Sequence, residues 1–377
     1  MPTQDHVQEQ LERLASFEPD GTPVVSLYLN TQADQHGRDN HDVFLKKTFR
    51  ERLRAFDQPG RDSLERDVAR IEAYVGRELS ASANGLAIFS SSGRDLFEAI
   101  ALAAPIDEHW LYINDVPQLY PLARVHSQYP RYAAMVADTA AVRIFVFATG
   151  ELVDSREVKG VKTRGRSLGG WSQNRYQRRV DNMHAALVRE AVEVLDRVVR
   201  AENIPSVILA GDEVVIALIR AELPKALAER VVEDIRLPAV AAVHDVLAAT
   251  SEALARHNES TDRVKVEAAL GGYRGGGLGV VGVEGTLDAL EKGQVDELLI
   301  AASLGHIAVK GGDGAAQTPA DASIERGGAQ VEDENSAKVA DELVRKATQT
   351  SARITFIEDG SLLAPYGGVG ALLRFRI

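Results

Sequence analysis

The chain has 377 residues, 45% of them hydrophobic and 26% charged, with a formal charge of −12 and no cysteine. That length suits two or three domains with cores of their own. The missing thiols exclude disulfides and thiolate metal sites, as fits a reducing cytoplasm, and net acidity argues against indiscriminate coating of nucleic acid.

The first residues lack the cationic start and apolar run of a secretory leader. No stretch reaches the roughly 18 apolar residues of a membrane span, so a cytoplasmic protein without membrane contact is expected. Residues 24–29 (Val-Val-Ser-Leu-Tyr-Leu) follow a Gly-Thr-Pro turn and predict a strand, being β-branched and aromatic. The polar loop 31–42 holds Asp34, His36, Asp39, His41 and Asp42. Without a His-x-x-x-His face it reads as a solvated loop, and neither a metal nor a cofactor is expected. Helical spacing marks 44–56 and 61–74, the second with Leu64, Val68, Ile71, Ala73 and Tyr74 toward a core. Residues 83–90 and 96–102 predict two more strands, and Ser-Gln-Tyr-Pro closes a first α/β domain at residue 128.

A second domain, 129–260, opens with strand-like runs at 132–138, 142–148 and 151–158, the last two joined by Thr149-Gly150. A long amphipathic helix is predicted over 175–201, with Val180, Met183, Leu187, Val188, Ala191, Val194, Leu195 and Val198 on its apolar side. A strand at 206–210 leads to a helix that Asp212 is placed to cap, then a strand at 231–236 and a helix after Pro238 toward Arg256. The third domain, 261–377, has helices at 283–290 and 336–350 and strands at 295–302, 352–357 and 370–377. Between them, 311–334 is rich in Gly, Ala, Asp and Glu and reads as a mobile acidic loop. Helix and strand alternate throughout, which is the signature of an α/β protein.

Residues 159–179 carry the chemistry. They hold seven cations (Lys159, Lys162, Arg164, Arg166, Arg175, Arg178, Arg179) and no carboxylate, against the acidic background. Such a local excess calls for a polyanion. In its middle Gly169-Gly170 lets the backbone approach another surface without a Cβ in the way, and Trp171, Ser172 and Gln173 follow. A small polar tip flanked by cations suits a probe entering an RNA-lined cavity; the competing reading is a solvated hairpin with a basic face. Arg175, Arg178 and Arg179 fall in the first turns of the long helix, where cations oppose the macrodipole at a few tenths of a kcal/mol each, about the low end of that effect.

One motif is set aside. Gly277-Leu278-Gly279-Val280-Val281-Gly282 fits G-x-G-x-x-G, but a dinucleotide site needs a strand directly before the glycines, and here Gly271-Gly272-Tyr273-Arg274-Gly275-Gly276 reads as loop. The acidic pair Asp296-Glu297 precedes the next strand, whereas a ribose-binding acid ends it.

Three segments together resemble one family, the archaeal and eukaryotic class I peptide-chain release factors with Pelota. Residues 169–176 (Gly-Gly-Trp-Ser-Gln-Asn-Arg-Tyr) are similar to the Gly-Gly-Gln-Ser-x-x-Arg-Phe loop of the release factors. Residues 283–300 are similar to their third-domain helix and the Leu-Leu strand after it. Tyr366-Gly367-Gly368-Val369-Gly370-Ala371-Leu372-Leu373-Arg374-Phe375 is similar to their closing Gly-Gly-Ile-x-Ala-x-Leu-Arg motif. The resemblance, to a bacterial-type member with a variant loop, implies three domains: an N-terminal α/β domain, a middle ribonuclease-H-like domain carrying the loop, and a C-terminal domain of the L7Ae/L30e type. It also implies a ribosomal partner, with contacts to rRNA and the acceptor end of tRNA, and a translational GTPase of the elongation-factor kind.

The departures are specific. Aligned on Ser172 and Arg175, the family's catalytic glutamine position holds Trp171, and a glutamine comes two residues later as Gln173. The Asn-Ile-Lys-Ser run that reads stop codons is missing, and residues 112–115 are only faintly similar to the second decoding motif, so codon-specific termination is not expected. Two functions stay open. In one the protein hydrolyses peptidyl-tRNA on stalled ribosomes, with Gln173 orienting water and Gly169 and Gly170 giving backbone approach. In the other it occupies the A site without cleavage, as in rescue or hibernation, with Trp171 stacking on a base.

Overall fold

The computed structural model describes residues 4–32, 41–53, 58–138, 141–159, 173–307, 324–326, 329–330 and 334–376. The N-terminal region runs α1 (Gln4–Ala15), β1 (Val24–Asn30), α2 (His41–Arg52), α3 (Gln58–Arg77), β2 (Gly85–Ser91), β3 (Leu96–Leu102), β4 (Trp110–Asn114) and α4 (Tyr120–Gln128). β1 pairs antiparallel with β2 and β4, and β2 with β3. Both β1 and β2 are buried on both faces, which is why they read as continuous apolar runs rather than alternating ones. Val25, Leu27 and Leu29 face Phe44, Leu45, Phe49, Leu64 and Ile71 of α2 and α3.

Three elements here were not expected. In α1 the spacing of Val7, Leu11, Leu14 and Ala15, all buried, is helical, yet it is thinly set among polar residues. β4 is a five-residue apolar strand whose Tyr112 is 1% exposed and stacks on Trp110 at 5.6 Å. The residues faintly similar to a decoding motif thus begin in a buried strand. α4 contains a proline in its first turn, where a missing N–H is tolerated.

The middle region runs β5 (Tyr132–Ala137), β6 (Ala141–Ala148), β7 (Glu151–Lys159), α5 (Gln173–Ala201), β8 (Ser206–Gly211), α6 (Glu213–Glu222), α7 (Lys225–Ala228), β9 (Val231–Ile235) and α8 (Val243–Arg274). Its sheet has the order β7-β6-β5-β8-β9. β5, β8 and β9 are parallel, and β6 and β7 are antiparallel. Period-two alternation sends Ala133, Met135 and Val207 toward α5 and α6, and Tyr132, Ala134, Val136 and Ile208 toward Val246, Ala253 and Leu254 of α8. Thr149 and Gly150, both at positive φ (52° and 82°), make the tight turn between β6 and β7. Asp212 caps α6 as expected, its carboxylate accepting from Val215 N–H at 2.9 Å.

The C-terminal region adds β10 (Gly279–Val281), α9 (Val283–Glu291), β11 (Val295–Ala301), β12 (Ile324–Arg326), β13 (Ala329–Gln330), α10 (Glu334–Gln349), β14 (Arg353–Ile357) and β15 (Val369–Leu373). Its sheet has the order β10-β15-β11-β14. Part of the expected acidic loop is strand instead: β12 and β13 pair with each other, and β12 adds antiparallel to β4 at the edge of the first sheet. No local pattern announces that pairing, because its partner lies more than 200 residues away.

Contacts divide the chain into two compact units, residues 1–128 with 261–377, and residues 129–260. Within the first, a buried polar network ties the two ends of the chain together. Tyr28 Oη donates to Gln118 O at 2.6 Å, Gln118 Nε2 to Ala337 O at 3.1 Å, and Tyr120 Oη to Ala302 O at 2.9 Å. Asp341, 3% exposed, accepts from the N–H groups of Leu119 and Tyr120 and pairs with Arg345 at 2.6 Å. The α/β class holds throughout, with a separate sheet in each of the N-terminal, middle and C-terminal regions. Among the described residues no helix is long and apolar enough to cross a membrane.

Candidate functional site

The basic segment joins β7, an edge strand of the middle sheet, to the 29-residue helix α5. Both elements that flank it are anchored in the core. Val158 at the end of β7 is buried in the core cluster that also holds Leu187, Val188, Ala191, Leu195 and Val198 of α5. Residues 183–186 are half-buried or exposed, so among residues with described burial the core contacts of α5 begin at Leu187. At 1.5 Å per residue, Gln173 stands about 21 Å along the helix from that first core residue. The helix begins two residues earlier than the periodicity predicts, at Gln173 rather than Arg175.

Lys159 ends β7 and lies 3.1 Å from Glu157, and Arg156 lies 3.1 Å from Asp154. Such exposed pairs contribute at most about 1 kcal/mol and leave Lys159 free to exchange partners. Lys162, Arg164, Arg166, Gly169, Gly170 and Trp171 lie outside the described residues. Gln173, Arg175, Arg178 and Arg179 are in the first two turns of α5, with their backbone described and their side chains not. Positions 175, 178 and 179 follow the three- and four-residue spacing that shares a helix face. No acidic residue occupies the first turn of α5. The positive end of the macrodipole and three arginine positions therefore both favour an anion at this end.

The glycine string of the third region serves packing. α8 continues through Gly271, Gly272 and Tyr273 to Arg274, where a loop was expected, and β10 lies inside the string itself. A Cβ on Gly279 would sit 2.1 Å from Ala269 O and 2.7 Å from Tyr273 N. These glycines let a strand lie against a helix backbone, so the string has helix before it and strand within it, the reverse of a dinucleotide fold. Of the loop 31–42, residues 33–40 lie outside the described residues and His41 opens α2. Among the described residues no cluster of three or more His, Asp or Glu could hold a metal.

Comparison with known proteins points one way. The model of bacterial archaeo-eukaryotic release factor family 10 matches residues 117–255, and that of eRF1 domain 3 matches residues 268–377. Together they match about two thirds of the chain. No curated protein matches. Among solved structures, an archaeal translation termination factor aRF1 is 18% identical, with 99% of each chain covered and a TM-score of 0.28. A model of ribosome-bound archaeal Pelota and ABCE1 is 14% identical, covering 98% of this chain and 94% of that one at a TM-score of 0.42. Dom34 of S. cerevisiae, a translation termination-like factor that interacts with Hbs1, is 10% identical over 68% of this chain and 66% of its own, at a TM-score of 0.40. At such scores the family models carry the assignment.

Proposed function

The chain belongs to the archaeo-eukaryotic release factor and Pelota superfamily, and from that premise we propose that it is a ribosome-associated factor that enters the A site and promotes codon-independent hydrolysis of peptidyl-tRNA on stalled ribosomes. The observation that supports this most is the build of the basic segment. A chain of net charge −12 gathers seven cations and a Gly-Gly pair between two core-anchored elements of its middle unit. The match to the bacterial family spans that segment.

In the reaction, water adds to the carbonyl carbon that esterifies the tRNA ribose, the bond from that carbon to the ribose oxygen breaks, and the proton passes to the departing oxygen. Neither step strictly requires an ionisable side chain. Holding water in line supplies about 7–11 kcal/mol where the geometry is tight, and donors aimed at the developing oxyanion add to it. Gln173 takes the water-orienting role, Gly169 and Gly170 give the backbone approach, and Lys159, Lys162, Arg164, Arg166, Arg175, Arg178 and Arg179 hold phosphates. A translational GTPase as delivery partner belongs to the same proposal.

Trp171 favours a second reading. It stands where the family has its glutamine, and an indole stacks on an unpaired base for about 1–3 kcal/mol. The factor would then fill the A site without cleaving, as a rescue or hibernation protein does. Purified protein incubated with stalled ribosome–nascent-chain complexes separates the two. Peptide release by wild type that is lost in Gln173→Ala supports hydrolysis; tight binding by both without release supports occlusion; failure to bind ribosomes at low salt refutes both.

A further inference from the structure

We propose that the C-terminal region carries an RNA-contact surface of its own, at the end of its sheet where α8 meets the last residues of the chain, and that it takes unpaired nucleotides of single-stranded RNA. Residues 273–278 are all exposed, as are residues 374–376. The two segments run side by side: Leu373 N–H donates to Leu278 O at 3.2 Å, and the Arg376 guanidinium donates to Gly276 O. Tyr273 is 50% exposed and Phe375 46%. Tyr366 meets Tyr273 edge-to-face at 6.4 Å, and its hydroxyl accepts from Arg274 Nη2 at 3.0 Å.

The charge pattern selects the partner. Four other cations of this region face carboxylates: Arg353 meets Asp296 at 2.6 Å, Lys292 meets Asp288 at 2.6 Å, Lys346 meets Glu291 at 2.9 Å, and Arg374, at the edge of this surface, meets Asp296 at 3.6 Å. Arg274 and Arg376 are held by a phenol and a backbone carbonyl, with no ion pair to a carboxylate among the described residues. Two guanidinium groups beside half-exposed aromatic rings match the way single strands are bound, with phosphates on cations and bases on rings. Between them Gly275-Gly276-Gly277 carry no side chains, so a ribose can approach closely, while their N–H groups are engaged by Gly271 O, Tyr273 O and Gly272 O and leave phosphate binding to the arginines. An apolar protein helix laid here would leave both guanidinium groups to be matched by acids of its own.

The surface is distinct from the Gly169-Gly170 segment, so the test keeps them apart. Full-length protein is titrated onto a labelled, unstructured 12-nucleotide RNA by fluorescence anisotropy over a range of salt. Tyr273→Ala with Phe375→Ala should weaken binding by about 5- to 150-fold per stacked base while leaving the salt slope unchanged. Arg274→Gln with Arg376→Gln should instead flatten the slope of log K against log salt by about 1.4, at roughly 0.7 per phosphate contact on a single strand. Tyr273→Phe should bind as wild type, which separates lost stacking from a damaged fold. If RNA binding is unmoved by both double variants and falls only with Arg175, Arg178 and Arg179 replaced by glutamine, this surface is refuted while the reading of the basic segment stands. Loss of a translational GTPase from the variants with RNA binding intact would also overturn it, in favour of protein docking.

Discussion

Asp341→Asn tests whether the two ends of the chain form one cooperative unit. The carboxylate is 3% exposed and does two jobs at once: one oxygen accepts from the N–H groups of Leu119 and Tyr120 at the start of α4, and the other pairs with Arg345 at 2.6 Å. Asparagine keeps an acceptor for the N–H groups but points an amide donor at the guanidinium. Removing one partner of a buried pair costs about 3–5 kcal/mol. The Arg345 side chain is 20% exposed and also donates to Pro117 O at 3.3 Å, so the low end of that range, about 3 kcal/mol, is the reasoned value. With a urea slope near 2 kcal/mol/M, the midpoint should fall by about 1–2 M.

The reporter is Trp110, 6% exposed in β4, in a Trp171→Phe background where it is the sole tryptophan. Replacing both partners, as in Asp341→Leu with Arg345→Met, should cost less than either single change, because no charge is stranded. Burial pushes the Asp341 carboxyl above its ordinary value of 3.8 against the opposing pull of Arg345 and the two N–H groups. A raised acid stabilises the fold fully below 3.8 and loses that contribution as pH rises through the folded value, so wild type should gain on the asparagine variant as pH is lowered. An unmoved Trp110 transition in Asp341→Asn would refute the reasoning.

Replacing Arg175, Arg178 and Arg179 by glutamate should weaken ribosome binding and flatten its salt slope by about two to three, and an unchanged slope would remove these residues from the phosphate contacts. Gly279→Ala forces a Cβ against the rigid carbonyl of Ala269 and should destabilise by about 3 kcal/mol or more in urea unfolding. Gly285→Ala, whose Cβ meets only a Val280 methyl at 3.0 Å and gains helix propensity in α9, should stay within about 1 kcal/mol of wild type. Burial, with a smaller contribution from His41, holds the His109 imidazole below its ordinary value of 6.5, while its ring stacks on Phe44 at 5.0 Å and Nδ1 accepts from Asn30 N–H at 3.2 Å. Its neutral form stabilises the fold above 6.5, and that contribution is lost as pH falls through the folded value; His109→Gln should remove this part of the acid sensitivity in thermal melts.

Much of the fold was legible because the signals that build it are local. The apolar runs at 132–138 and 142–148 marked two strands of the middle sheet, and the apolar spacing from Leu187 to Val198 named the buried side of α5. Asp212 announced its cap by residue type and position. The basic segment was legible for a different reason: charge and glycine content are properties of composition, and they stand out against an acidic chain without any knowledge of the fold. α1 was missed because its four apolar residues are scattered among polar ones, and the end of α8 because Gly271 and Gly272 suggest a loop. Gly272 is there because β10 lies against the helix backbone, with Gly279 N only 2.8 Å from where a Cβ of Gly272 would stand, whereas a Cβ on Gly271 would meet open space.

The amino-acid order by itself determined most of the helices and strands of the middle region, the apolar side of α5, where the cations gather and which superfamily the chain resembles. Only the tertiary structure decided that residues 1–128 and 261–377 share a compact unit, that β12 extends the first sheet, and that Tyr273 meets Tyr366 where the segments bearing Arg274 and Arg376 run side by side. Periodicity tells a segment which side to bury but not against what. The contacts of Asp341 with Leu119 and Tyr120 span more than 200 residues, and no window of sequence short enough to show a pattern contains both partners.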